Sequence, residues 1–280
     1  MVPAAVFPLI LLAAVCHAGW NALLKGSGNP MVLSARAVTL GTVLSLPPVA
    51  VAWLWHGRPG LPLAAWLLAA TSAGLELVYF IFLSTAYRRG ELSLVYPVAR
   101  GTAPLLAVGV GLVLLGERVH PAALLGVVLL LAGIWAVRRP STAGAALAPA
   151  LATGVMIAAY SSLDRLGVRL AAPWLYGWVL WFFAALLLMG FTTVRRLPAA
   201  GGNPALPVTL LVGALMTAAY FMILVALSVA PLAIIAPLRE SAIVLVTAWG
   251  IWRLGERRGA WLRIVGAFAI VLGIGILAFA

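Results

Sequence analysis

Acidic residues are scarce in this sequence: six Asp and Glu stand against 18 Lys and Arg in 280 residues, and charged residues of both signs make up only 9% of the chain. A water-soluble domain carries about 25% charged residues, so a soluble surface is excluded by composition. Cysteine is limited to Cys16, which excludes an internal disulfide and a Cys-rich metal site. Three histidines are present, with no helical zinc pair among them, and neither a phosphate-binding glycine loop nor a serine elbow occurs. Nothing in the sequence points to an enzyme, a metal or a cofactor. The net charge of +12 does not gather into a basic face suited to nucleic acid. It falls as Arg pairs between apolar runs, the pattern of membrane-protein loops.

What is abundant is apolar residues, 65% of the chain, with a mean hydropathy of +1.15. A chain of this length cannot hide so much apolar surface in one core, so the expected solvent is lipid and the expected partner is the bilayer. Runs of about 20 apolar residues, the length needed to cross it, are expected at 3–24, 31–55, 62–86, 92–115, 120–137, 145–164, 173–194, 205–229, 232–254 and 260–279. The first is read as a retained span because it lacks a basic n-region. These runs predict an all-α membrane protein of ten transmembrane helices.

The two halves resemble each other. At an offset of 140 residues Trp20 falls on Tyr160, Lys25 on Arg165, Pro97 on Pro237, Gly126 on Gly266 and Gly133 on Gly273. Leu115-Gly116-Glu117-Arg118 recurs, after a slip of one residue, as Leu254-Gly255-Glu256-Arg257. The expected repeats are 1–139 and 140–280. Five spans per half is an odd number, so the second half enters from the opposite face. That is an inverted repeat around a central cavity, a plan shared by many secondary transporters. Twelve Lys and Arg flank the loops after odd-numbered spans, among them Arg88-Arg89, Arg138-Arg139 and Arg195-Arg196, against four after even-numbered spans, Arg58, Arg118, Arg165 and Arg169. The bias places the odd loops in the cytoplasm and both termini outside.

Charges near mid-span are the informative ones: Glu76, Arg100, Arg239 and Glu240. Each costs about 2.5–3.5 kcal/mol at the bilayer centre, so four unpaired would cost about 10–14 kcal/mol. They are expected to pair as a neutral set, as structural salt bridges or as the walls of a substrate site. Pro97 and Pro104 flank Arg100, and Pro237 lies just before Arg239. Prolines break the helical ladder, and freed carbonyls at this depth belong beside a wet cavity. Further residues share faces with these charges or line neighbouring helices: His17, Trp20 and Asn21 on the first helix, Tyr79 beside Glu76, Tyr96 beside Arg100, Tyr160 above Asp164, and Tyr220 on the eighth helix. All eleven, four charged and seven uncharged, are candidate substrate-binding residues. Lys25 and Arg36 are expected to snorkel to the surface. Glu76 has no basic neighbour on its own helix, which makes it the first candidate proton carrier, with Glu240 second.

The segment His17-Ala18-Gly19-Trp20-Asn21-Ala22-Leu23-Leu24-Lys25, the repeated Leu-Gly-Glu-Arg and the two five-helix halves resemble the drug/metabolite transporter superfamily, EamA type. The likeness implies a basket of helices around a central cavity that works by alternating access, with no cofactor. It implies export of amino acids and other metabolites, and in some members import of nucleotide sugars, sugar phosphates or choline. The His-x-x-Trp-Asn version also resembles a subgroup found beside phosphonate-use genes. One departure is the orientation, since the family is usually drawn with both termini in the cytoplasm. The expected function is proton-coupled efflux of a small polar or zwitterionic metabolite across the cell membrane, by a monomer. The alternatives are an importer of a phosphonate or quaternary amine, and a non-transporting scaffold or sensor.

Overall fold

The structure is a computed structural model that describes residues 3–90, 92–137, 144–198, 205–241 and 260–279. The described residues are helical, with no strand among them. In chain order they form α1 (Val6–Lys25), α2 (Pro30–Trp55), α3 (Leu63–Arg89), α4 (Leu92–Gly109), α5 (Pro121–Val137), α6 (Leu147–Leu170), α7 (Pro173–Val194), α8 (Leu206–Val229), α9 (Leu232–Leu238) and α10 (Ala260–Phe279). Six of them, α1, α2, α3, α6, α7 and α8, are long and apolar enough to cross a membrane. Val98–Leu114, Pro121–Ala136 and Ile264–Leu277 are shorter apolar helical stretches. The expected ninth span, 232–254, and the second Leu-Gly-Glu-Arg lie largely or wholly outside the described residues.

Sequence explains where the helices start and stop. Asn29 caps α2, its side-chain oxygen accepting from the backbone N–H of Met31 at 3.1 Å and of Val32 at 3.4 Å, and Pro30 fills the first turn, where no amide donor is needed. Pro173 opens α7 in the same way. α4 runs unbroken past Pro97 and Pro104, and its irregularity is a π-helical stretch, Val110–Leu114, beyond both. Pro237 sits in the last turn of α9, which tightens into a 3-10 turn, Arg239–Ser241.

Packing pairs α3 with α6, α1 with α8, α2 with both α7 and α8, α3 with α7, α4 with α6 and α9, and α5 with α10. The α5–α10 seam is built on glycine. A Cβ at Gly126 would meet the carbonyl oxygen of Gly273 at 2.9 Å, and one at Gly133 would meet that of Gly266 at 2.5 Å. Only small residues let helix backbones approach this closely. The outer faces carry Trp55, Leu67, Val113, Phe182 and Phe268, all exposed. In water such a surface would be an aggregation liability, and against lipid tails it is the matching solvent-facing layer.

Candidate functional site

Between these helices the polar residues gather in the interior, since lipid offers them nothing. Arg100 on α4 donates from Nη1 to Glu240 Oε1 at 3.0 Å, and Arg239 Nε lies 3.7 Å from the same oxygen. All three residues are at least 95% buried. Arg239 and Glu240 are sequence neighbours, which on a regular helix would face apart. Here, in the 3-10 turn, both long side chains nonetheless reach one ion-pair cluster.

α1 packs against this turn. On α1, the Trp20 indole N–H donates to His17 Nδ1 at 3.0 Å, the Asn21 amide donates to the His17 carbonyl at 2.8 Å, and the Tyr87 hydroxyl donates to Asn21 Oδ1 at 2.8 Å. His17, Trp20 and Asn21 are all buried, so Trp20 is part of the interior and not of an interfacial belt.

A second polar centre lies on α6. Asp164, 1% exposed, accepts from the Ser72 hydroxyl at 2.6 Å and the Tyr176 hydroxyl at 3.1 Å through Oδ1, and from the Tyr220 hydroxyl at 2.6 Å through Oδ2. The three donors come from α3, α7 and α8. Gly167 makes room for one of them, because a Cβ there would overlap the Tyr176 ring. Glu76, also buried, sits one turn from Ser72 on the same face of α3. A file of rings runs beside these carboxyls: Tyr79 to Tyr160 at 5.8 Å, Tyr160 to Tyr220 at 6.4 Å and Tyr220 to Trp181 at 5.6 Å between centroids.

The structure thus brings together His17, Trp20, Asn21, Arg100, Arg239 and Glu240 around one cluster, and Glu76, Tyr79, Tyr160 and Tyr220 around the other. The side chain of Tyr96 lies outside the described residues. Two expectations are corrected. The buried charges are not a neutral set of two Glu and two Arg, because Asp164 adds a third carboxyl. Lys25 does not snorkel outward; its Nζ donates to the carbonyls of Tyr87 at 2.6 Å and Gly90 at 2.9 Å, capping the end of α3.

Ser72, Tyr176, Trp181, Asp164 and Tyr87 were not among the expected site residues. Asp164 was visible as a face-mate of Tyr160, but its place beside Arg165 near a span end reads as a loop charge. Glu117 was likewise seen only as part of a repeated loop motif. It accepts from Arg165 Nε at 3.0 Å and from the backbone N–H of Leu232 at 2.8 Å and Ala233 at 3.0 Å, while Arg165 Nη1 also donates to the Leu227 carbonyl. Among the described residues no cluster of His, Cys, Asp and Glu could hold a metal ion.

A helical bundle with exposed apolar flanks and charged residues sealed in its middle defines a class: polytopic membrane proteins with a polar interior. Residues 5–139 match the model of the EamA-like transporter family. No curated protein matches it. A solved structure described only as a crystal structure of a protein shares the fold, with a TM-score of 0.71 over 97% of this chain and 96% of its own, at 21% identity.

Proposed function

We propose that the protein is a secondary transporter that moves a small polar or zwitterionic, amino-acid-like metabolite across the cell membrane by alternating access, as a proton-coupled exporter acting as a monomer. The observation that carries this reading is the Arg100–Glu240–Arg239 cluster, sealed among apolar helices beside a second carboxyl centre. A scaffold has no use for so many costly charges at that depth. Arginine offers planar donors suited to carboxylate or phosphonate and stays charged when buried. The ring file beside Glu76 and Asp164 suits the ammonium end of a zwitterion, and it also favours the second reading, an importer of a quaternary amine or phosphonate.

The reading includes ten spans in two inverted halves, 1–139 and 140–280. The packing supports it. Shifting every helix by five maps the α3–α6 contact onto α8–α1 and α2–α8 onto α7–α3, and leaves α2–α7, α4–α9 and α5–α10 in place. The contact of Gly126 with Gly273 likewise maps onto that of Gly266 with Gly133.

The test is substrate affinity in Arg100→Gln and Arg239→Gln. Both are expected to weaken binding at least about tenfold, the loss of one charge-assisted hydrogen bond at about 1.5–3 kcal/mol. Arg100→Gln is also measured with Glu240→Gln, so that Glu240 is not left as a buried unpaired charge. Normal insertion with wild-type affinity in both variants would make these arginines structural and remove the binding proposal.

A further inference from the structure

Resting on the transport reading, we propose a specific oxyanion subsite in which His17 Nε2–H and Arg239 Nε–H grip two oxygens of a carboxylate or phosphonate, with Trp20 as the residue that positions the imidazole. The indole N–H of Trp20 can only donate. Its bond to His17 Nδ1 at 3.0 Å therefore requires Nδ1 to be bare, and the ring proton must sit on Nε2. That Nε2 is buried and makes no hydrogen bond among the described residues, although His17 is only 7% exposed. Buried donors without acceptors are rare in native structures.

A second donor is in the same condition. Arg239 Nε is buried without a hydrogen bond among the described residues, held 3.7 Å from a Glu240 oxygen that already accepts from Arg100 at 3.0 Å. Two guanidinium groups thus converge on that one carboxylate. The turn Arg239–Ser241 packs directly against α1, which places the two orphan donors on neighbouring elements. One neutral N–H and one cationic N–H are complementary to an oxyanion. They offer no acceptor to an ammonium. Asn21, with its amide on the His17 carbonyl and its oxygen taken by Tyr87, has both ends occupied and acts as a brace for α1 rather than a ligand.

The roles of His17 and Trp20 are thereby distinct. His17 touches the ligand, whereas Trp20 acts through it by fixing which nitrogen carries the proton. Trp20→Phe keeps the bulk and removes the indole donor, so the ring is released to its other tautomer.

The experiment is nitrogen NMR of ¹⁵N-histidine protein in lipid nanodiscs. His56 and His120 are both exposed and are replaced by Gln, leaving His17 as the only imidazole. Glycine, acetate, methylphosphonate and inorganic phosphate are the probes. Expected is a neutral ring protonated on Nε2, whose Nε2 resonance moves saturably with at least one probe. The apparent Kd is expected to rise at least tenfold in Arg239→Gln, and the tautomer to be mixed in Trp20→Phe. A ring protonated on Nδ1 in the unliganded protein overturns the proposal, as does an Nε2 resonance that none of the four probes moves. Transport with an unmoved His17 removes the subsite and leaves the carrier. A moved His17 in a protein that transports nothing leaves the subsite and removes the carrier.

Discussion

Glu76 and Glu240 show how much one residue's surroundings decide. Both are buried glutamates in an apolar bundle. Glu240 lies between Arg100 and Arg239 in an ion-pair cluster. Glu76 has no ion pair among the described residues; its neighbour one turn away is Ser72, which serves Asp164. Among the described buried charges, two arginines, Arg100 and Arg239, stand against three carboxyls, Glu240, Glu76 and Asp164, a set that becomes neutral when one carboxyl holds a proton. This supports Glu76 as the first candidate for the carried-proton site, with Asp164 beside it and Glu240 second. Glu76→Gln is expected to abolish accumulation driven by a pH gradient while leaving substrate exchange largely intact. Unchanged gradient-driven accumulation would rule Glu76 out, and loss of both activities would make it structural. Burial and charge type made Glu76, Arg100, Arg239 and Glu240 legible in the sequence. Asp164 was not, because its three hydroxyl donors come from helices 92, 12 and 56 residues away, and no local pattern announces such a convergence.

Among the elements, the latch at the start of α9 explains a motif whose purpose the sequence concealed. Gly116 turns the chain with φ at +61°, a conformation glycine adopts without strain. The turn brings Glu117 to the two leading amides of α9 and to Arg165 on α6. Those amides have no partners within the helix, and a carboxylate at a helix N-terminus is favoured there. Leu-Gly-Glu thus reads as a turn followed by a cap for a helix 115 residues further on. Glu117→Ala is expected to destabilise the protein by about 1.5–3 kcal/mol, the scale of losing hydrogen bonds to a charged group. Unfolding in mild detergent measures it, and a midpoint within error of wild type would mean that the cap is dispensable. The glycine seam makes a sharper claim. At Gly133 even a Cβ would meet Ile270 Cγ1 at 2.8 Å and the Ile270 backbone nitrogen at 2.9 Å. Gly133→Leu should therefore separate α5 from α10 and lower thermal stability, whereas Gly74→Ala, where the Cβ meets open space, should not. Equal effects of the two would show that the seam is not close-packed.

For the whole molecule, apolar length and punctuation gave most of the described helices to within a few residues, with α6 running on to Leu170 past its expected end at 164, because in lipid every backbone amide must be satisfied within its own helix. The arrangement of those helices was not legible, since which faces meet depends on small residues and polar groups that any apolar helix can carry. Orientation rests on the loop arginines. With Cys16 replaced by Ser and a cysteine added at the C-terminus, an impermeant thiol reagent is expected to label intact cells if both termini are outside. Protection would assign the opposite orientation, the one usual for the family. The claim at the centre of the account is that the buried charges belong to a carrier. Its most direct test is flux in proteoliposomes holding the purified protein, with a panel of amino acids, phosphonates and quaternary amines, with and without a pH gradient. The account predicts saturable, gradient-driven accumulation of at least one zwitterion, lost in Arg239→Gln. Properly inserted wild-type protein that moves no member of the panel, with or without the gradient, would contradict it.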